Sequence, residues 1–151
     1  MTLYSAALFL HIVGALLLFV LLTVEGFSLR LGMPAARFNQ VAGPISAVFV
    51  LFPGLYMVAT TWGWKGWIAV GIASWVLIAV LGAITGVSVL RGRISVRTAS
   101  LSWSIRVGLA TGVVFIMTVK PDLVLATLAV LAGALLGLAA GRIVSRRVVP
   151  A

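Results

Sequence analysis

The chain has 151 residues, of which 63% are hydrophobic and only 9% charged, and its eleven Lys and Arg against two acids give a formal net charge of +9. Soluble domains carry roughly 25% charged residues, so this balance excludes a water-soluble fold. The cations sit in short segments between apolar runs, where they set membrane orientation, rather than on one face of a soluble body, so no nucleic-acid partner is expected.

The first element is the apolar run Leu3 to Val24, interrupted only by Ser5, His11 and Thr23. At about 1.5 Å rise per residue, a helix of this length crosses a hydrocarbon core of roughly 30 Å. It lacks the basic flank of a cleavable signal and is long enough to span, so it reads as a retained anchor. It carries His11, the single histidine, and runs into Glu25, the single glutamate.

A polar, breaker-rich link from Glu25 to Pro34, followed by Arg37, Asn39 and Gln40, reads as the first loop. Gly43-Pro44 then opens a second span over 43–60, with Pro44 in the first helical turn, where its missing N–H is not needed. Within it, Pro53-Gly54 kinks the helix and frees the carbonyl of Phe49. Trp62, Trp64 and Trp67 surround a tight turn at a headgroup boundary, and the third span covers 67–90.

The next segment holds Arg91, Arg93, Arg97 and Arg106 and should lie on anionic lipid. The fourth span runs over 103–119, with Arg106 snorkelling from its first turn. After Lys120-Pro121-Asp122, with Asp122 placed to complement a helix dipole, the fifth span covers 122–141 and ends in Arg142, Arg146 and Arg147. The expected fold is therefore all-α, a single domain (1–151) of five transmembrane helices. Nine of the eleven cations (Arg30, Arg37, Arg91, Arg93, Arg97, Arg106, Arg142, Arg146, Arg147) fall on one set of loops, which predicts the N-terminus outside and the C-terminus in the cytoplasm. The expected location is the inner (plasma) membrane.

Small residues recur at four-residue spacing: Gly82 and Gly86, Gly108 and Gly112, then Gly133, Gly137 and Gly141. Such ladders let helices approach closely in lipid, either among spans three to five or between copies in a homo-oligomer or with a membrane-protein partner.

Chemistry has few carriers here. The absence of cysteine removes disulfides and thiolate sites. No Ser/His/Asp set, HExxH motif, phosphate loop or pair of intramembrane carboxylates is present, so no enzymatic activity is expected. Counting from the span ends puts His11, the break at Pro53 and Trp75 in one outer layer, with Met57 and Met117 nearer the same surface. An imidazole with two thioethers would suit Cu(I), or haem iron held by a His/Met pair. Equally, a neutral His11 donating to a freed carbonyl, with methionines filling gaps, needs no ligand or cofactor. Glu25, at the cytoplasmic end of span one, is expected in an interfacial ion pair with arginine.

Phe9-Leu10-His11-Ile12-Val13-Gly14-Ala15, Gly54-Leu55-Tyr56-Met57 and Trp62-Gly63-Trp64 resemble an uncharacterised bacterial family of predicted integral membrane proteins, domain of unknown function 2269. That resemblance covers the first three spans and implies a membrane bundle with no assigned activity. Leu10-His11 is more distantly similar to copper-resistance D-type membrane proteins and to haem-handling membrane proteins, which implies copper or haem as candidate ligands of His11. Two functions follow as expectations: an accessory or interaction subunit that packs through its glycine ladders, or a small-molecule, ion or metal handler with an outer-leaflet pocket around His11.

Overall fold

In uninterrupted apolar sequence, a helix is the local solution that satisfies every backbone N–H and C=O within the segment itself. The computed structural model describes residues 2–31 and 36–147. It contains α1 (Leu3–Leu31), α2 (Ala36–Met57) continued by a π-helical turn Val58–Trp62, α3 (Gly66–Leu90), α4 (Val96–Val119) and α5 (Leu123–Arg147). Each of the five is long and apolar enough to cross a membrane. Residues 32–35 of the first loop, and the side chains of Arg37, Arg146 and Arg147, lie outside the described part.

Short connections make successive helices antiparallel, which gives the bundle two unlike ends. At the tryptophan end, Trp62 donates from Nε1 to the Tyr4 hydroxyl at 3.2 Å, meets Trp67 edge-on at 5.7 Å, and lies under Lys120 Nζ at 3.9 Å. The opposite, arginine end holds the close of α1, the start of α2 and the α3–α4 turn with Arg91 and Arg93.

Four helices start or stop elsewhere than their sequence predicts; α5 runs past 141 to Arg147, and the other three change the surroundings of named residues. α1 does not end at Val24 but continues through Gly26 to Leu31. Gly26 serves here as a packing site: a Cβ there would meet the Trp103 ring, whose Nε1 donates to the Leu22 carbonyl at 2.6 Å. α2 begins at Ala36, so Pro44 lies inside the helix rather than in its first turn and gives no N–H to the Gln40 carbonyl. α4 begins at Val96, capped by Ser95, whose Oγ accepts the Thr98 N–H at 3.2 Å. Arg106 therefore stands mid-helix and 4% exposed, and the expectation that it snorkels from a first turn is corrected. At α5, the Asp122 carboxylate accepts the Leu125 N–H at 2.8 Å, an N-terminal cap consistent with its expected place at the dipole.

Backbone proximity sets the two most extensive helix pairs. In α1/α2, a Cβ on Gly14 would lie 2.7 Å from the Phe49 carbonyl carbon, and Ser46 Oγ donates to the Gly14 carbonyl at 3.0 Å. In α4/α5, a Cβ on Gly108 would meet the Gly133 carbonyl oxygen, one on Gly112 would lie 2.9 Å from Val130 Cα, and one on Gly137 would meet the Ser104 carbonyl oxygen. Gly141 completes that seam against Ser104 Oγ, 2.8 Å from where its Cβ would be. Gly82 and Gly86 of α3 do something different. A Cβ on Gly86 would meet nothing within 4 Å, and one on Gly82 would have Arg106 as its nearest neighbour, Nη1 at 3.2 Å. These two are thus spaces left beside a side chain and a cavity, not points of helix contact.

Candidate functional site

The Trp103 anchor fixes the register of α4 against α1. Held on Gly26 and the Leu22 carbonyl, the indole leaves Arg106, one turn further along α4, opposite Glu25 on α1. The guanidinium grips the carboxylate with both terminal nitrogens: Nη1 donates to Oε2 at 2.9 Å and Nη2 donates to Oε1. The side chains are 5% and 15% exposed, so the pairing of Glu25 with an arginine that the sequence led us to expect is buried among the helices. Gly82 supplies the room, since any side chain there would crowd the guanidinium.

Asn39 of α2 completes the cluster, its Nδ2 donating to Glu25 Oε2 at 3.4 Å. A carboxylate only accepts, so the amide must present its nitrogen and turn its oxygen elsewhere. Asn39 Oδ1 and Arg106 Nε are buried without a hydrogen-bond partner.

Both residues border a partly open cavity of about 430 Å³ between α1, α2 and α3, to which α4 contributes Arg106 alone. That is the size of pockets that take small molecules, typically roughly 300–1,000 Å³. Leu18, Leu21, Trp75 and Ile78 make much of its wall, and Gly43 and Gly86 leave it open where side chains would intrude. The charges of Glu25 and Arg106 cancel. What remains toward the cavity is an apolar wall with a few directional hydrogen-bonding groups at one end, the arrangement that orients a bound organic molecule.

The residues singled out from sequence divide between this cavity and the helix seams. Trp75 lines the cavity; His11, Pro53, Met57 and Met117 do not. His11 lies in the α1/α2 seam, with Nδ1 2.7 Å from the Val50 carbonyl oxygen and its ring against Gly54. Since a carbonyl only accepts, the hydrogen bond assigns the proton to Nδ1. The acceptor is Val50 rather than the Phe49 carbonyl that Pro53 frees. Met57 is buried near the end of α2, and the Met117 methyl presses on Gly71 in the α3/α4 seam. His11 and Met117 are therefore held in separate helix interfaces, while Met57 lies one turn beyond Gly54 on α2.

Replacing His11 with Ala should cost about 0.6–1 kcal/mol, the range for an interhelical or buried hydrogen bond. Unfolding in detergent measures this, and wild-type stability would show that the bond contributes nothing.

Sequence reasoning missed Arg106, Asn39 and Gly82 as parts of one site. A signal for the first was present: Ser95 immediately before the helical run is a preferred cap residue, and a helix starting there carries Arg106 well past its first turn. No protein-family model, curated protein or solved structure matches the chain.

Proposed function

We propose that this chain is a non-enzymatic multi-pass protein of the plasma membrane that holds a small amphipathic molecule in the cavity beside Glu25 and Arg106. The observation that carries the reading is the self-neutralised, buried ion pair on the border of an otherwise apolar cavity. A charged group inside a membrane bundle is costly, and such groups mark ligand or ion paths by default. The alternative role as an accessory subunit drew on glycine ladders, and those of α4 and α5 are turned on each other within the chain, leaving them no need of a partner helix. The exposed Leu128, Leu131 and Leu135 of α5 then face acyl chains.

A brominated medium-chain amphiphile tests the cavity directly, because bromine quenches a nearby indole and Trp75 is the tryptophan on its wall. Saturable quenching is expected in the wild-type protein in detergent, and its loss in Trp75→Phe. In Gly86→Phe, where a Cβ meets nothing and the ring enters the cavity, binding should fall at least tenfold. Binding that survives this substitution places the molecule elsewhere.

In this reading the arginine end faces the cytoplasm. With Arg106 withdrawn into the bundle, Arg30, Arg37, Arg91, Arg93, Arg97, Arg142, Arg146 and Arg147 remain on that side against Lys65 and Lys120 on the other, still a strong bias. Reporter fusions following Arg147 are expected to give a cytoplasmic signal and fusions at Gly63 an external one. The reverse pattern would overturn the orientation.

A further inference from the structure

We propose that the molecule held beside Glu25 and Arg106 is an uncharged amphiphile whose head group both donates and accepts a hydrogen bond, a primary alcohol or a carboxamide on an apolar chain. This deepens the cavity reading and rests on it. Its basis is the charge state of the cluster and the two polar atoms that the protein leaves without partners.

After the two-nitrogen grip on Glu25, the Nε of the Arg106 guanidinium is the nitrogen left without any acceptor, and on the Asn39 amide Oδ1 is the atom left without any donor. Buried polar groups are almost always partnered, and each one left unmade costs about 1–3 kcal/mol. Two residues that line the same cavity thus carry one unpartnered donor and one unpartnered acceptor, which call for a head group with the complementary pair. A hydroxyl or a carboxamide takes the Nε–H on its oxygen and gives its own O–H or N–H to Oδ1. Because both atoms are buried as they stand, uptake of such a head group requires the Asn39 amide and the guanidinium to turn toward the cavity that their residues line.

Charged heads fail on the same geometry. An anion could accept the Nε–H but has no proton for Asn39 Oδ1, and because Glu25 already neutralises Arg106 it would be buried without a counter-charge of its own, a loss of several kcal/mol in sites of this kind. A cation approaching Glu25 would find both carboxylate oxygens already taken and a guanidinium beside them. The tail has a matching place. Leu18, Leu21, Trp75 and Ile78 offer an apolar wall, and the absent side chains of Gly43 and Gly86 leave width for a chain to lie along it.

The test uses five brominated probes of one chain length, titrated against Trp75 fluorescence in the full-length protein: the primary alcohol, the carboxamide, the methyl ether, the quaternary ammonium, and the carboxylate at an alkaline pH that ionises it. The alcohol and the amide are expected to bind at least tenfold tighter than either charged probe. The ether keeps the acceptor but has no proton for Asn39, so it should bind about fivefold to tenfold weaker than the alcohol, the worth of one hydrogen bond. Asn39→Leu should erase the difference between alcohol and ether, and the ether comparison stands in wild-type protein whether or not that variant folds. Charged probes binding as well as the alcohol, or ether and alcohol binding alike, overturn the head-group assignment while cavity binding stands. No binding by any probe, or binding unaffected by Gly86→Phe, overturns the cavity reading itself.

Discussion

Arg106→Met is expected to destabilise the protein by about 3–5 kcal/mol, because it leaves the Glu25 carboxylate buried without its counter-charge. The depth of the pair makes the effect large: Arg106 is 4% exposed and stands mid-helix, beyond easy reach of water at either end of α4. Asn39 alone, donating at 3.4 Å, cannot replace two guanidinium nitrogens. The double variant Glu25→Leu/Arg106→Met should recover most of the loss, since a whole buried ion pair can be exchanged for apolar side chains at little or no cost. The two substitutions are therefore expected to be strongly non-additive, with a coupling of several kcal/mol in a double-mutant cycle. Equilibrium unfolding of the four proteins in one detergent measures it. Additive effects, or a single-variant cost below about 1 kcal/mol, would mean that Glu25 reaches water and that the pair behaves as an exposed one.

The same comparison separates stability from ligand retention. If the double variant regains stability, it still lacks the Arg106 N–H and the Glu25 carboxylate that orients Asn39, so the alcohol probe should bind to it no better than the ether. An engineered bundle of this kind would show that the pair is kept for what it presents to the cavity rather than for the strength of the fold.

Gly137→Leu is the second large effect. A Cβ at Gly137 would meet the Ser104 carbonyl oxygen, and the neighbouring rungs at Gly108 and Gly133 are equally tight against one another's carbonyls. When the obstacle is helix backbone, no side-chain rotation relieves it, so α5 must move away from α4 along the seam. Overpacking typically costs about 1–3 kcal/mol and more where the surroundings are rigid, so a value at or above the upper end is expected here. Gly86→Ala provides the contrast. Its Cβ meets nothing, and alanine is favoured over glycine within a helix by roughly 1 kcal/mol, so a neutral or slightly stabilising result is expected. Unfolding in detergent distinguishes the two, and size measurement reports whether Gly137→Leu also changes assembly. Wild-type stability and size for Gly137→Leu would show that the α4/α5 seam does not hold.

Why were the helices readable from sequence while their ends were not? Length and apolarity fix a spanning helix with little regard to neighbours, and five such runs are plain between Leu3 and Gly141. End signals are weaker because Gly and Pro carry two meanings. Gly26 looks like a breaker at the close of α1, yet it is the flat place on which Trp103 lies. Pro44 looks like a first-turn residue, yet α2 begins at Ala36 and carries it within. In each case a contact from another helix, or the continuation of a polar segment as helix, outweighs the local preference.

The glycine ladders show the same division in finer form. Spacing alone treats Gly82 and Gly86 like Gly133 and Gly137, since all are small residues four apart on a helix. Only the positions of the neighbouring helices reveal that the α5 pair meets backbone while the α3 pair borders the guanidinium and open space.

The chain's composition and periodic apolarity by themselves determined five helices suited to a membrane, the basic bias between loops, and the short supply of reactive groups. These are properties of each segment taken alone, decided by hydrophobic length and charge. Tertiary structure decided that Glu25 pairs with Arg106 across a sequence separation that no local pattern encodes, and that Asn39 joins them. It also decided that His11 is held by a Val50 carbonyl in one seam while Trp75 faces the cavity. Those outcomes depend on helix rotation and register, which a nearly uniform apolar surface does not specify. They were set by close backbone approach at Gly14, by the Trp103 anchor on Gly26, and by the α4/α5 glycine seam, because steric fit at such contacts discriminates one helix register from the next.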